Sequence, residues 1–216
     1  MEIPTIYEIK QLIIQLSNPE EIIRTGGLII ILVIVFSETG LFFGFFLPGD
    51  SLLFTAGLMT AMKVINQHIL TVLVLIIISA VLGDLTGYWF GRKTGYKIFS
   101  RKESILYKKE YLQRAKLFYD RYGNLAIILG HFIPIIRTFA PIVAGVVQLD
   151  FGKYSRYNLL GAFIWASSLI LSGFFFGILF PEIIKYLELI IILLIILSGI
   201  PLFRGYMAHK KGKWFK

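Results

Sequence analysis

The chain contains no cysteine among its 216 residues. This absence excludes disulfide bonds, thiolate nucleophiles and cysteine-ligated zinc. Histidine is also scarce: His68, His131 and His209 are the three copies, and none lies at the spacing of a metalloprotease helix. A Gly-x-Ser-x-Gly nucleophile elbow is missing as well. We therefore expect no metal site, no cofactor and no enzyme activity.

Charged residues are few for a chain of this length. They make up 16% of the sequence, against about a quarter in soluble proteins. Hydrophobic residues make up 56%, and the mean hydropathy is +0.76. A soluble fold of this size needs more polar surface than this composition supplies. The composition predicts an integral membrane protein with a single membrane domain.

The charge that is present is mostly positive, with a net charge of +9. Between residues 92 and 121 there are ten cations and three acids, and a second basic cluster lies in the C-terminal tail. Basic segments next to hydrophobic spans usually mark the cytoplasmic side and contact anionic headgroups. We favour this interpretation over nucleic-acid binding. It predicts a multi-pass membrane protein whose 92–121 loop and C-terminal tail are cytoplasmic, and counting the apolar runs back from these segments places the N-terminus on the same side.

Long apolar runs alternate with two interrupted ones. Runs at 27–46, 69–90, 158–180 and 187–203 approach the roughly 20 residues that cross a bilayer. Residues 6–17 have apolar positions at helical spacing and predict an amphipathic N-terminal helix over 1–21. Two further apolar stretches are broken: one by Pro48-Gly49-Asp50-Ser51, the other by Pro134, Arg137 and Pro141. We expect an all-α fold with about four transmembrane helices and two re-entrant, broken-helix hairpins.

The two broken stretches belong to an internal repeat. Phe-x-Pro followed by Ala-Gly occurs at Pro48 and again at Pro134, and each copy precedes a span with an aromatic run between glycines. The offset from Pro48 to Pro134 is 86 residues, and Gly87 and Gly173 have the same offset. The topology predicts that the repeats at 22–91 and 122–180 are inverted, with the basic loop 92–121 between them and a last span and tail at 181–216. In transporters, such a pair places the substrate near the midplane of the membrane.

Three acidic residues fall within or beside the apolar runs, where charge is costly and usually faces a cavity or a partner. Glu38 lies late in the first span, and we favour a functional role over an interfacial one. Asp50 follows Pro48-Gly49; a helix N-cap and a proton-carrying carboxylate are equally good interpretations. Asp84 lies near the cytoplasmic end of its span, so it pairs with Arg92 or is simply interfacial.

Two basic residues belong to the second broken stretch. Arg137 lies between Pro134 and Pro141, in backbone that we expect not to be a regular helix. Its planar guanidinium suits phosphate, while the structural alternative is an ion pair with Glu38 or Asp50. His131 suits proton transfer because it titrates near neutral pH, although taken alone it is more often a packing histidine.

Together these residues resemble the signature of the DedA family, whose members carry a SNARE-associated or VTT domain. The resemblance covers roughly residues 25–180. Its motifs are Phe46-Leu47-Pro48-Gly49-Asp50-Ser51-Leu52-Leu53 with Ala56-Gly57, Gly83-Asp84 with Gly87-Tyr88 and Gly91-Arg92, Phe132-Ile133-Pro134 with Arg137 and Ala144-Gly145, and Phe151, Asn158, Gly161-Ala162 and Trp165.

The resemblance implies a flippase that moves polyprenyl-phosphate or phospholipid across the cytoplasmic membrane, coupled to protons. The family's acidic pair falls on Glu38 and Asp50. Its basic pair falls on His131 and Arg137, and His131 replaces the family's usual arginine. Substrate binding is thereby assigned to Arg137 and His131 and proton coupling to Glu38, Asp50 and His131. Supporting roles fall on Asp84, Arg92, Ser51 and Asn158.

Two other functions stay open at this point: a transporter of small solutes or ions, and a membrane organiser that binds partners through the basic loop. The expected partners are membrane lipids with anionic phosphate headgroups, and protons, but not nucleic acid. Gly83, Gly87 and Gly91 at four-residue spacing permit close helix contact. That contact is compatible with a homo-oligomer.

Overall fold

A computed structural model describes residues 19–41, 49–99 and 122–180, together with the single positions 119, 182 and 189. Within these residues the fold is all-helical, with six helices and no strand. The helices are α1 (Pro19–Gly40), α2 (Gly49–Ala61), α3 (Ile69–Phe99), α4 (Asn124–Gly130), α5 (Pro134–Val146) and α6 (Phe151–Leu179). Residues 1–18 of the predicted N-terminal helix, most of the basic loop, the last span apart from Leu189, and the tail lie outside the described residues. Residues 19–21, which were predicted to end that helix, instead begin α1.

Two helices are long and apolar enough to cross a membrane: Ile69–Gly95 within α3 and Phe151–Leu179, which is α6. Both correspond to predicted spans, but α6 begins before the apolar run at 158. Asp150 caps it by accepting a hydrogen bond from the backbone N–H of Lys153 at 2.8 Å. Residues 151–157 belong to the helix but not to the apolar run, because several of them are polar. Hydropathy alone therefore does not detect this first part of α6.

Helix α1 is bent at Gly27, whose φ of 57° lies in the left-handed region that favours glycine. Its apolar part, Gly26–Gly40, packs along α3. Hydroxyl groups connect the two helices: Ser79 Oγ donates to the Leu32 carbonyl at 2.6 Å. Thr39 Oγ1 lies 3.1 Å from the carbonyl oxygen of Ala80. These bonds satisfy polar side chains at depth and fix the register of α1 on α3.

The short helix α2 packs mainly on the distant α6 rather than on its neighbours in sequence. Gly57 faces the carbonyl oxygen of Ile170 so closely that a Cβ atom would overlap it. In return, Gly173 faces the carbonyl oxygen of Phe54 in the same way. Small residues at such a crossing let two helix backbones approach each other.

Helix α5 repeats this arrangement on α3. Gly145 faces the carbonyl oxygen of Tyr88, and Gly91 faces the carbonyl oxygen of Ile142. Each short helix therefore crosses the long helix of the other half of the chain. By these contacts Gly91 corresponds to Gly173, whereas the sequence alignment places Gly87 opposite Gly173, one helical turn away.

Two groups of buried side chains fill the interior. The larger group involves α1, α2, α3 and α6 and includes Leu52, Ile76 and Trp165. The smaller group centres on Tyr88 and Tyr154, whose rings stack with centroids 4.7 Å apart. Helix α6 contributes to both groups, and the polar side chains described below come from the helices that surround them.

Candidate functional site

Arg137 lies in the first turn of α5, and the backbone around it differs from the sequence expectation. Pro134–Val146 is one helix, so the prediction of irregular backbone between Pro134 and Pro141 was wrong. Pro134 occupies the helix start, where its missing N–H is no loss. Pro141 lies inside the helix and has no N–H for the Arg137 carbonyl. The actual break in regular helix lies just before it, with Ile133 extended at φ −119°, ψ 107°.

The Arg137 guanidinium joins the two halves of the chain. Its Nη1 donates to Asp50 Oδ1 at 2.5 Å, and its Nη2 donates to Glu38 Oε1. Arg137 and Glu38 are each only 2% exposed. The carboxylates come from α1 and α2, so one planar cation holds two acids from different helices. A buried cation needs this compensation, because removing charge from water without a partner is costly.

Trp165 of α6 completes the Arg137 cluster, which we define as Glu38, Asp50, Arg137 and Trp165. Its indole ring lies 4.3 Å from the guanidinium carbon, in the range of a cation–π contact. Its Nε1–H donates to Asp50 Oδ1 at 3.0 Å. The sequence offered Trp165 only as part of a family motif. A signal existed, however, because Asn158, Gly161 and Trp165 fall on one face of a helix.

Asp50 and Glu38 differ in access. The Asp50 side chain is 21% exposed, whereas that of Glu38 is 2% exposed. Asp50 lies within the first turn of α2 rather than before it, and its Oδ1 accepts from side chains of other helices. Gly49 lies directly against Glu38, and a Cβ at this position would force the Glu38 carboxylate to shift. Ser51, also predicted as a supporting residue, is buried, and its carbonyl accepts from Thr55 Oγ1 at 2.7 Å.

Asp84 is fully buried and pairs with His131, so neither interpretation of its role from the sequence holds. Its Oδ2 lies 3.3 Å from His131 Nε2, across from α3 to the end of α4. The other ring nitrogen of His131 lies 3.0 Å from the Ile127 carbonyl. Sequence spacing could not reveal this partner, because 47 residues separate the two side chains.

Arg92 points to a different group. Its Nη1 donates to the Tyr88 hydroxyl at 2.6 Å, and its guanidinium carbon lies 5.7 Å from the centre of the Trp89 ring. The Tyr88 hydroxyl in turn donates to the Leu149 carbonyl at 2.6 Å. Arg92 therefore ties the polar end of α3 to the segment before α6, and its predicted ion pair with Asp84 does not form.

A small cavity of about 10 Å³ adjoins both ion-pair groups, at the lower limit for one water molecule. Its polar lining comes from Tyr119, His131, Arg137, Tyr154 and Asn158. Tyr119 donates to the Ala140 carbonyl at 3.1 Å, and burial raises the pKa of its hydroxyl above the usual value. The tyrosine is therefore a neutral donor at physiological pH.

Several buried polar atoms around this cavity make no hydrogen bond within the described part of the chain. They are Glu38 Oε2, Asp84 Oδ1, Arg137 Nε, Tyr154 Oη and Asn158 Nδ2. Asn158 lies close enough to interact with Asp84, yet its amide nitrogen falls short of hydrogen-bond geometry. Buried polar groups are normally paired, so this region retains capacity for further polar ligands. Among the described residues, no cluster of three histidine or carboxylate side chains could hold a metal ion.

The sequence of the chain is similar to those of known membrane proteins. The VTT domain matches residues 47–175. The chain is 38% identical over 182 residues to Protein DedA of Escherichia coli K12, covering 84% of this chain and 83% of that protein. It is also 38% identical to an uncharacterized membrane protein of Mycobacterium tuberculosis H37Rv, covering 79% and 74%. The inner membrane protein YqjA of E. coli K12 is 30% identical, with 93% and 89% covered. No solved structure matches the chain.

Proposed function

The chain belongs to the DedA family of VTT-domain membrane proteins, and on that premise we propose that it carries a lipid phosphate across the cytoplasmic membrane. The substrate class is polyprenyl-phosphate or phospholipid. The observation that carries this proposal is the burial of Arg137 between Glu38 and Asp50. A cation held by carboxylates of other helices can exchange them for a phosphate of the same charge sign.

The exchange follows from the chemistry of the three side chains. Guanidinium binds phosphate and carboxylate with the same planar fork, so the headgroup competes with Glu38 and Asp50 for Arg137. Each carboxylate that is displaced loses its cation at a buried position. Taking up a proton removes the cost of that unpaired charge. Headgroup binding and protonation of Glu38 and Asp50 therefore favour each other, which is the basis of the proposed proton coupling.

His131 contributes to this scheme through Asp84. Its two ring nitrogens are occupied by the Ile127 carbonyl and by Asp84. The proposed headgroup contact is therefore made by Arg137, with Trp165 covering the guanidinium face. Protonated His131 neutralises the negative charge of Asp84 behind this contact.

The proposed architecture is an inverted repeat with two re-entrant hairpins and about four transmembrane helices. Helices α2 and α5 have 13 residues each, or about 20 Å of helix, against about 30 Å of hydrocarbon. That length supports hairpins that enter and leave on one side. The reciprocal contacts of α2 on α6 and of α5 on α3 support an inverted relation. With both termini cytoplasmic, the two hairpins enter from opposite faces.

The test is lipid translocation in vesicles that contain the purified protein. Fluorescent polyprenyl-phosphate and phospholipids with several headgroups are added to one leaflet, with and without a pH gradient. We expect Arg137→Ala to abolish translocation and Arg137→Lys to retain part of it, since lysine keeps the charge without the fork. Arg156→Ala, which removes an exposed arginine of α6, is the matched control and should transport normally.

Three outcomes would overturn the proposal. Unchanged translocation by Arg137→Ala would remove the residue on which it rests. Uptake of soluble phosphate or another small anion, without lipid movement, would instead identify a small-solute transporter that uses the same residues. If neither lipid nor solute moves and only loop charges matter in cells, the protein is a membrane organiser.

A further inference from the structure

The contact between His131 and Asp84 determines where hydrogen atoms must lie. The Ile127 carbonyl is only an acceptor, so the 3.0 Å contact with His131 Nδ1 requires a proton on Nδ1. His131 Nε2 then faces Asp84 Oδ2 at 3.3 Å. If neither of these atoms carried a proton, a nitrogen lone pair would face a carboxylate. The pair therefore holds one shared proton, as imidazolium with carboxylate or as imidazole with carboxylic acid.

Because the pair is buried, the loss or gain of this proton strongly affects the neighbouring charges. Asp84 is 0% and His131 is 5% exposed, so bulk water cannot screen a charge that appears there. With its proton the pair is neutral, and without it the pair carries one negative charge. Asp84 already interacts electrostatically with Arg137, although less strongly than with His131. The other titratable groups that face the pair are Glu38 of α1 and Tyr154 of α6.

We propose that His131 and Asp84 form a buried binding site for one proton, and that release of this proton makes Asp84 a third carboxylate competing for Arg137. The proton leaves Nε2 or Oδ2 for water in the adjoining cavity, and no other bond changes. The Asp84 Oδ1 atom makes no hydrogen bond within the described residues, so it is available to a new partner. The link to transport rests on the proposed function, but the proton site itself does not.

The linkage has a definite sign. An additional negative charge beside Arg137 weakens the binding of a phosphate headgroup, so headgroup and proton bind cooperatively. Raising the pH should therefore weaken headgroup binding, by at most about tenfold per pH unit for a single proton. By reciprocity, the headgroup should increase the proton occupancy of the pair.

The proton site can be observed directly, because the chain has only three histidines. The full chain, labelled with ¹⁵N-histidine and carrying His209→Gln, is placed in lipid nanodiscs for NMR. We expect Nδ1 of His131 to carry a proton and Nε2 to share one with Asp84. Asp84→Asn should abolish the Nε2 proton, because its amide donates to Nε2 instead. Exposed His68 is the internal control and should be identical in both proteins.

An Nε2 signal that is the same in the parent protein and in Asp84→Asn would overturn the proposal. If Asp84→Asn fails to fold, the parent spectrum still decides, because an unprotonated Nδ1 contradicts the assignment. The second arm is His131→Arg, which keeps an ion pair with Asp84 but cannot release its proton. Polyprenyl-phosphate binding by His131→Arg should lose the share of the pH dependence that the pair contributes and keep the share due to Glu38 and Asp50. A pH profile identical to that of the parent refutes the linkage.

The two proposals fail separately. An absent Nε2 proton with normal Arg137-dependent lipid transport refutes the proton site and leaves the transporter intact. A shared proton that depends on Asp84, in a protein whose Arg137→Ala variant moves lipid normally, refutes the transporter and leaves the proton site.

Discussion

The two halves of the chain, 19–99 and 122–180, pack alike but carry opposite charges at their meeting point. Each contributes one short helix that crosses the long helix of the other through facing glycines. All the acids of the site, buried Glu38 and Asp84 and partly exposed Asp50, come from the first half. Both buried bases, His131 and Arg137, come from the second. Every ion pair among them therefore joins one half to the other.

The two halves share the packing that holds the helices together, and they differ in the charged groups that determine the chemistry of the site. Each half alone would carry unpaired charge, because the acids of the site lie in the first half and the bases in the second. The ion pairs therefore form only when the two halves pack in this arrangement. A change in their protonation changes the electrostatic attraction between the halves. A further asymmetry lies in length, since α4 has seven residues and α1 has 22.

The largest effect should follow from reversing one charge of the central pair. Glu38→Arg alone and Arg137→Glu alone each bury like charges, and we expect a loss of about 3–5 kcal/mol in the free energy of unfolding. The double variant exchanges acid and base between the halves and should recover part of that loss. Reversible unfolding in mixed micelles measures both.

The control for this exchange is a reversal at an exposed site, Arg156→Glu, which should cost well under 1 kcal/mol, as surface charges usually do. Additive losses in the double variant would contradict direct pairing and would mean that the halves are held by packing alone. Equal stability of both single variants with the parent would contradict the burial of the pair.

The charged residues of the site can be predicted from the sequence, because charge within a membrane is costly. The pairing of Asp84 cannot, because its partner lies far away along the chain. Charge at membrane depth must find compensation, so Glu38, Asp50 and Arg137 are recognisable as a group from the order of residues alone. The partner of Asp84 is not recognisable in this way. Arg92 is close to Asp84 in sequence, but the ion pair forms with His131 from the other half. Helix α5 was misjudged because Pro141 costs one hydrogen bond without ending the helix.

The fold, like the site, could be predicted only in part from the sequence. The two long apolar helices were predictable because length and hydropathy are local properties. The register between the two halves was not predictable. The aromatic runs align Gly87 with Gly173 in sequence, whereas the helix crossings match Gly91 to Gly173. A backbone contact depends on where helices cross, and that position is set by the whole bundle.

The glycine contacts allow a second test of the comparison between halves. Gly57→Ala and Gly145→Ala each place a Cβ against a backbone carbonyl of the facing helix, and overpacking of this kind typically costs about 1–3 kcal/mol. Because the contacts are reciprocal, we expect similar losses in melting temperature for both variants. Gly130→Ala is the matched control, since its Cβ would meet only side chains, the nearest at 3.4 Å. A large loss in one half alone would show that the two crossings are not equivalent.

A smaller effect is expected from Trp165→Phe, which removes one donor from the Arg137 cluster and keeps the aromatic face. The lost hydrogen bond to Asp50 should cost about 1 kcal/mol, because Arg137 still pairs with that carboxylate. Trp165→Leu also removes the cation–π contact and should cost more. The difference between the two variants in micelle unfolding isolates the ring contribution. Equal losses would mean that the indole contributes through its hydrogen bond alone.

The smallest effect distinguishes the two stacked tyrosines, one from each half. The Tyr88 hydroxyl donates to the Leu149 carbonyl and accepts from exposed Arg92, which can bind water instead. Tyr88→Phe should therefore cost about 1 kcal/mol, mainly for the bond to Leu149. The Tyr154 hydroxyl is buried and makes no hydrogen bond with the described residues, so Tyr154→Phe should be neutral or slightly stabilising. Both rings keep their stacking in either variant, which makes each the control for the other. A loss of about 1 kcal/mol from Tyr154→Phe would mean that its hydroxyl binds a ligand or water in the adjoining cavity. In that case the Tyr154 hydroxyl would take part in binding in the cavity beside Arg137, together with the other polar groups that line it.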